Sequence, residues 1–306
     1  MAKSVFLSII ICTYNRASYL QDTLESLFDT DANHENFEII IVDNNSTDRT
    51  KEITRAAAQN NPQFDIRYCS ETRQGLSHAR NRGVAESSAP VLLFLDDDIS
   101  APAPFIASWI SFFKNHPRAS GGGGKIQVQF DAPRPPWMSH FLLPLLGHHN
   151  FGNHIKKYPT NKYPFGGNMA FRKEVFEQYG NFNTDLGRKG SNLTASEEKE
   201  FFQRLPDSQL IYYLPDAFIH HRVDKKRLTK SYIKKQAVGL GTSIAMQQKE
   251  ASIVRVFQQG AAEFLKFIAT IFLGFGYGLL LRFSTAGMLL KFRWWIWKGY
   301  LEARSA

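Results

Sequence analysis

The sequence predicts an α/β fold, a mostly parallel sheet flanked by helices, with a basic helical extension at its C-terminal end. Three observations lead there. Short β-branched runs alternate with polar helical stretches over the first 130 residues; the chemically capable side chains fall at the ends of those runs; and the positive charge collects after residue 221. The runs SVFLSIIICT (4–13), FEIIIVD (37–43), DIRYC (65–69) and PVLLFL (90–95) are short, apolar and bounded by turn residues, which marks strands. Ala17 to Asp29, Thr47 to Asn60 and Leu76 to Ser87 lie between them and read as helices. Strand and helix in alternation require right-handed crossovers and a sheet covered on both faces. Ligands of such sheets gather at the carboxyl ends of the strands.

Beyond residue 120 the pattern loosens. GGGGK (121–125), the Pro-rich APRPPW (132–137) and HHNFGNH (148–154) predict a loop that covers or shapes a pocket. Regular structure resumes in FGGNMAFRKEVFEQYG (165–180) and SEEKEFFQRL (196–205), and from Arg222 the chain is basic and helical. The expected division is one domain over 1–221, in halves 1–130 and 131–221, and an extension over 222–306.

With 306 residues and 43% apolar composition the chain can bury a sizeable core, which excludes a disordered protein. The net charge is +9, and it is unevenly placed: residues 222–306 hold 15 Lys and Arg against 4 acids, whereas residues 1–221 hold 22 against 24. The cations flank an aromatic, apolar segment rather than a polar cleft, which suits an anionic membrane surface and argues against nucleic acid. Cys12 and Cys69 have neither metal-ligand nor disulfide-framework spacing and read as reduced thiols. The N-terminus MAKSVFLSIIICTYN shows no small-residue cleavage site, so the expectation is a cytosolic chain, in which the sequons at Asn45 and Asn192 carry no meaning.

The most informative stretch is VLLFLDDDI (91–99), where an apolar run ends in Asp96, Asp97 and Asp98. Carboxylates at the mouth of a buried strand need positive charge nearby, and a hard divalent cation with a bound diphosphate supplies it. Alternate carboxylates at a strand-to-turn junction can share a side, so Asp96 and Asp98 can face one site. Asp43, at the end of the second run, is placed to accept the imide N–H of a uracil or thymine ring, although Asn44 to Asp48 also read as a plain turn and cap. Thr13, Tyr14, Asn15 and Arg16 in CTYNR, with Asn45, can frame the same nucleotide. In RQGLSHARNRG, Arg80 is placed to approach base or phosphate, with Arg73 and Arg82 as competitors. Glu197 and Glu198 open a helix; such acids complement the macrodipole, or, facing a cleft, remove a proton from an attacking hydroxyl. His220 and His221 are adjacent, so on a strand only one of them faces a given site. GGGGK lacks the Ser or Thr of a phosphate-binding loop, and Gly274, Gly276 and Gly278 sit in an apolar helical run, so neither is a nucleotide motif.

In this order, TYNR, VDNNSTD, GLSHARNRG, FLDDD, GGNMAFRKEVFEQYGNF and EEKEFFQRL resemble the family 2 glycosyltransferases, inverting enzymes of the Rossmann-like GT-A fold, over roughly residues 4–245. The resemblance implies a nucleotide-diphosphate sugar donor, Mg²⁺ or Mn²⁺, and an acceptor hydroxyl that attacks with inversion. It implies that Asp43 reads the base, that Asp96 and Asp98 hold ribose and metal, that Glu198 is the catalytic base, that Gly167 and Asn168 line the sugar and acceptor region, and that His221 lies near the metal. The family more often has Glu-Asp where this chain has Glu197-Glu198, which leaves open which carboxylate is the base. The Gln-x-x-Arg-Trp signature of processive synthases is absent, which favours transfer of one sugar per encounter. Two rivals are weaker. A sugar-phosphate nucleotidyltransferase needs a Gly-rich N-terminal phosphate loop, and CTYNRASYL has no glycine; a glycan-binding scaffold needs no intact acidic triad.

FIATIFLGFGYGLLL (267–281) gives fifteen uncharged positions, short of the roughly 20 needed to span a bilayer, and MLLKFRWWIWKGY has the composition of an interfacial anchor. The expectation is monotopic or re-entrant attachment to the cytoplasmic face, suited to a glycan or lipid-linked saccharide acceptor. A buried helix closing the catalytic domain is the alternative.

Overall fold

The computed structural model describes residues 5–30, 37–159, 162–186, 197–249 and 253–305. The sequon at Asn192 and the segment 187–196 lie outside the described residues. Two compact units emerge, Met1–Gln129 with Gly147–Arg222, and Phe130–Leu146 with Val223–Ala306.

The first unit carries the sheet. β1 (Leu7–Thr13), β2 (Phe37–Asp43), β3 (Asp65–Ser70) and β4 (Val91–Leu95) run parallel in the order β3-β2-β1-β4, with α1 (Ala17–Phe28), α2 (Thr50–Asn60) and α3 (Leu76–Glu86) as crossovers. β2 and β4 are buried at every position and β1 at all but one, as parallel strands covered on both faces require. Glu38 is the polar exception in β2, and it sits at the end of the strand away from Asp43; Ser8, the Ser88 N–H and Arg67 hold it.

Beyond β4 the sheet turns antiparallel. β8 (Asn168–Arg172) pairs antiparallel with β4, Leu95 opposite Asn168, and β6 (Gly121–Phe130) and β9 (Ile211–Val223) follow, with β5 (Ile99–Ser100) on the outer side of β9 and β7 (Lys156–Lys157) also paired to β9. GGGGK is therefore a strand and not the loop its composition suggests. The glycines are there because the backbones crowd. A Cβ on Gly122 would meet Tyr212 O at 2.8 Å, and one on Gly124 would meet Ala217 O at 2.0 Å. His149 likewise pairs with Ile126, in an isolated antiparallel bridge. α4 (Phe105–Asn115) buries Trp109, Phe112 and Phe113 against the sheet, and α5 (Lys173–Tyr179) and α6 (Glu197–Arg204) close the other side around Phe171, Phe176, Phe182 and Phe201.

The second unit is helical: α7 (Lys230–Lys249), α8 (Ile253–Leu279) and α9 (Phe283–Ser305), with a 3-10 turn at His140–Leu146. α7 and α9 approach through glycines. A Cβ on Gly241 would lie 2.0 Å from Ile296 O, and one on Gly299 would lie 2.1 Å from Val238 O. Thr285 Oγ1 donates to Pro136 O at 2.9 Å, fixing the Pro-rich stretch to this unit. Gly274, Gly276 and Gly278 lie inside α8. Among the described residues one helix is long and apolar enough to cross a membrane, Gly260–Leu279, with mean hydropathy 1.4. Its Phe264, Leu265, Phe272, Phe275 and Leu279 are exposed, as are Leu280, Leu281 and Phe283 after it. This apolar surface is not a core.

Candidate active site

β1, β2 and β4 end side by side, so Thr13, Asp43 and the three aspartates meet at one edge of the sheet, as the strand-end rule requires. Asp96, Asp98 and His221 bring one ligand atom each to within 4.8 Å of one another. His221 is there because β5 pairs with β9, which sets Ile99 opposite His221; the Arg222 N–H also donates to Asp98 O at 2.8 Å. His221 is buried while His220 points to the other face. Two carboxylates and one imidazole make a donor set that suits Mg²⁺ or Mn²⁺.

The acids are already in contact with a cation. Arg16 reaches Asp98 Oδ2 at 2.6 Å and Asp97 Oδ1 at 3.1 Å, and its guanidinium stacks on Tyr19, 4.7 Å from the ring centroid. Arg222 lies over the same ring at 4.8 Å. Asp97 also accepts from Thr13 Oγ1 at 2.7 Å. Burial pushes the Asp97 carboxyl up to about 7, against the pull of Arg16 and with the neighbouring aspartates adding to the rise.

The loops that follow β1 and β2 are built by short polar bonds. Asn15 and Asn45 adopt positive φ (52° and 69°), which Asn tolerates best after Gly. Asn15 N–H donates to Ser46 Oγ at 2.9 Å, and Asn15 Oδ1 accepts from Thr47 N–H at 2.8 Å, tying the β1 and β2 ends together. Asp43 accepts from Ser46 N–H and from the Tyr68 hydroxyl, both at 2.8 Å. Tyr14 stands 42% exposed above this surface, available to stack. Asn44, which the sequence did not single out, orders the adjoining loop by donating to Glu71 O and Arg73 O and accepting from Gly75 N–H.

Opposite the aspartates lies a second charged group. Arg80 donates to Glu197 Oε1 and to Glu198 Oε1, each at 3.0 Å. Arg80, which the sequence offered for a base or phosphate, is thus engaged by carboxylates. Its competitors are engaged elsewhere, Arg73 with Glu71 and Arg82 with Glu86. Between the two groups runs the dipeptide Gly166-Gly167. A Cβ on Gly166 would strike Glu198 Oε1 at 1.8 Å, and one on Gly167 would strike Asp96 Oδ2 at 2.5 Å. Gly166 was legible only as half of a GG pair. Asn168, expected to line the acceptor region, is fully buried. Its side chain accepts from Trp109 and donates to Lys125 O and Ala217 O, because as the first residue of β8 it falls between strands.

This geometry has known counterparts. The pattern of glycosyl transferase family 2 matches residues 8–180. The chain is 25% identical over 228 residues to the glucosyl-dolichyl phosphate glucuronosyltransferase of Haloferax volcanii, covering 72% of this chain and 70% of that one. It is 33% identical over 176 residues to the dolichol-phosphate mannosyltransferase of Pyrococcus furiosus, covering 56% and 47%. Among solved structures, the mannosyltransferase PcManGT from Pyrobaculum calidifontis in complex with GDP-Man and Mn²⁺ gives a TM-score of 0.65 at 18% identity, over 97% of this chain and 86% of that one. S. aureus TarS 1-349 in complex with UDP-GlcNAc gives 0.56 at 18%, over 77% and 66%. The likeness to these structures is one of fold, and the fold is GT-A. Because the family pattern runs through more than half of the sequence and through the strands that carry the acidic edge, the chain belongs to glycosyl transferase family 2.

Proposed function

We propose that this glycosyltransferase moves a sugar from a nucleotide-diphosphate sugar, with UDP as the favoured carrier, to a hydroxyl of a glycan or lipid-linked saccharide. Transfer proceeds by direct displacement with inversion, one sugar per encounter. The observation that carries this reading is the placement of Asp96 and Glu198 against consecutive glycines, with the metal-ligating set on one side and a candidate base on the other. A reacting sugar between them is within reach of both.

Asp43 accepts from the base, Tyr14 stacks on it, and Thr13, Asn15, Arg16 and Asn45 shape its surroundings, while Asp96 and Asp97 take the ribose side. Asp96, Asp98 and His221 would hold Mg²⁺ or Mn²⁺, which would supply positive charge to the donor diphosphate. Glu198 takes the proton from the acceptor hydroxyl; the acceptor oxygen forms the new bond to the anomeric carbon while the bond from that carbon to the diphosphate oxygen breaks, its electron pair leaving with the nucleoside diphosphate. A positioned base of this kind contributes about 10²–10⁴-fold. Glu197 is fully buried, so Glu198 is the carboxylate offered to the acceptor. Gly167 borders the sugar, and the half over 131–221 serves the acceptor as that over 1–130 serves the nucleotide.

The exposed apolar face of α8 and the Trp-rich, basic α9 attach the chain to the cytoplasmic face of the membrane, peripherally or as a re-entrant element. The dolichyl and dolichol phosphates in the names of the two relatives support an acceptor held at such a surface.

Thermal stabilisation of detergent-purified protein by UDP, GDP, CDP and dTDP, with and without Mn²⁺, tests the donor site, because a ligand of the native state alone raises the melting point. A manganese-dependent shift with one nucleotide is expected. No shift with any of them refutes the nucleotide-diphosphate donor.

A further inference from the structure

We propose that Arg80 is a positioning residue: it holds Glu198 against the Gly166 backbone at the edge of the cleft, carries the charge of the buried Glu197, and does not bind donor. This rests on the assignment of Glu198 as the base. Three observations support it.

The Arg80 side chain is 3% exposed, and each of its terminal nitrogens already meets one carboxylate, Nη1 on Glu197 and Nη2 on Glu198. Burial opposes its charge, yet Glu198 and Glu197 outweigh burial and hold the guanidinium firmly protonated. The two partners then differ in access: the Glu197 side chain is fully buried, the Glu198 side chain 19% exposed. One carboxylate is an anchor and the other presents itself to the cleft.

The arginine is itself enclosed on two further sides. Phe182 lies beneath the guanidinium, 5.5 Å from ring centroid to Cζ. Asn81, the next residue on α3, fixes Phe182 by a reciprocal pair, donating to Phe182 O at 2.8 Å and accepting from Phe182 N–H at 3.0 Å. On the remaining side Gly166 must lack a side chain, since a Cβ there would meet Arg80 Nη2 at 2.2 Å. A planar fork with fixed donors is the group that can hold two carboxylates in one geometry; lysine, a point charge on a flexible stem, cannot. Both carboxylates lie on α6 and Arg80 on α3, so the fork ties the two helices together.

The test compares wild type, Arg80→Lys, Glu198→Gln, Glu197→Gln, Arg80→Met and Arg80→Met with Glu197→Gln. Binding of UDP and GDP with Mn²⁺ is measured by calorimetry, nucleoside diphosphate release from a panel of UDP- and GDP-sugars by turnover, and melting points for all. In Arg80→Lys the nucleotide Kd is expected to stay within about twofold while kcat falls on the order of 10²-fold, the loss that a 1 Å misplacement of a reacting group produces. Arg80→Met is expected to lower the melting point by taking the guanidinium from the buried Glu197 carboxylate, and Glu197→Gln in the same chain to restore it without restoring turnover. A nucleotide Kd weakened as much as kcat in Arg80→Lys would mean that Arg80 touches donor and overturns the proposal, as would wild-type turnover in that variant. Failure of Glu197→Gln to restore the melting point overturns it too, and this arm needs no activity. Wild-type turnover in Glu198→Gln brings down the base assignment instead, whatever the arginine variants do.

Discussion

Gly166→Ala is the smallest change that tests the arrangement of the cleft. The added methyl carbon would sit 1.8 Å from Glu198 Oε1 and 2.2 Å from Arg80 Nη2, where ordinary contact begins at 3.4 Å. The carboxylate and its guanidinium must therefore retreat by about 1.5 Å, and the backbone of Gly166 cannot yield freely because Gly167 is held by the bond from Asp96 N–H to its carbonyl. A reacting group misplaced by 1 Å costs about 10²-fold, so kcat is expected to fall by at least that factor, about 3 kcal/mol of transition-state stabilisation. Overpacking a buried charged contact lowers stability by about 1–3 kcal/mol as well. Of the group Asp96, Asp98 and His221, Asp96 borders Gly167 rather than Gly166, and the atoms nearest a Gly166 Cβ belong to Glu198 and Arg80, so nucleotide affinity in the presence of Mn²⁺ should hold. The assay is steady-state donor turnover beside calorimetric nucleotide binding. Turnover at the wild-type rate would refute the placement of the base, and loss of nucleotide binding in parallel with kcat would show that the two halves of the site are not separable in this way.

Three further expectations follow from other parts of the molecule. Asp98→Ala should abolish manganese-dependent nucleotide binding, whereas Glu198→Gln should keep binding and lose about 10²–10⁴-fold in transfer; equal nucleotide affinity in wild type and Asp98→Ala refutes the metal assignment. His149, buried beside Tyr158 with an Nε2 to hydroxyl distance of 2.6 Å, is pushed by burial, with His148 and Lys162 adding, from 6.5 down to about 4. Its neutral form is the native one, so it contributes stability fully above pH 6.5 that is lost as pH falls towards 4, with a slope of up to about 1.4 kcal/mol per pH unit. Melting points across that range should fall less steeply in His149→Gln than in wild type, and parallel slopes would refute the assignment. In α9, Gly299→Ala drives a methyl to 2.1 Å from Val238 O and should destabilise by about 1–3 kcal/mol, whereas Gly287→Ala meets nothing within 4 Å and should stabilise by up to about 1 kcal/mol; equal effects would refute the close crossing of α7 and α9.

The parallel half of the sheet was legible because its strands are buried on both faces, so composition and punctuation mark them without any partner: β2 occurs where FEIIIVD predicts it, residue for residue. The antiparallel half was not. β6 begins with four glycines whose absent side chains make room for the carbonyls of Ala170, Tyr212 and Ala217, and a strand chosen for what neighbouring backbones exclude carries no period of its own. The same limit applies to Asn168, where sequence order gave a polar residue beside two glycines, while register gave it a seat between β4 and β6.

The two arginines assigned to the donor show what the sequence could and could not decide. Each follows a motif, Arg16 in CTYNR and Arg80 in GLSHARNRG, and both were read as cations for a nucleotide. In the folded chain both meet acids, yet unequally: the Arg16 side chain is 26% exposed and lies on the aspartates from the open side, whereas Arg80 is enclosed beneath Glu197 and Glu198. The aspartates that meet Arg16 are themselves buried, at 6% and 1% exposure, so neither arginine makes a surface ion pair. A buried pair cannot give up one member without leaving the other charge unpaired in the interior, at about 3–5 kcal/mol. Arg16, partly exposed, can therefore yield Asp97 and Asp98 only to another positive charge, and Arg80 is enclosed with both of its acids. Burial, which no motif records, is what separates the two arginines.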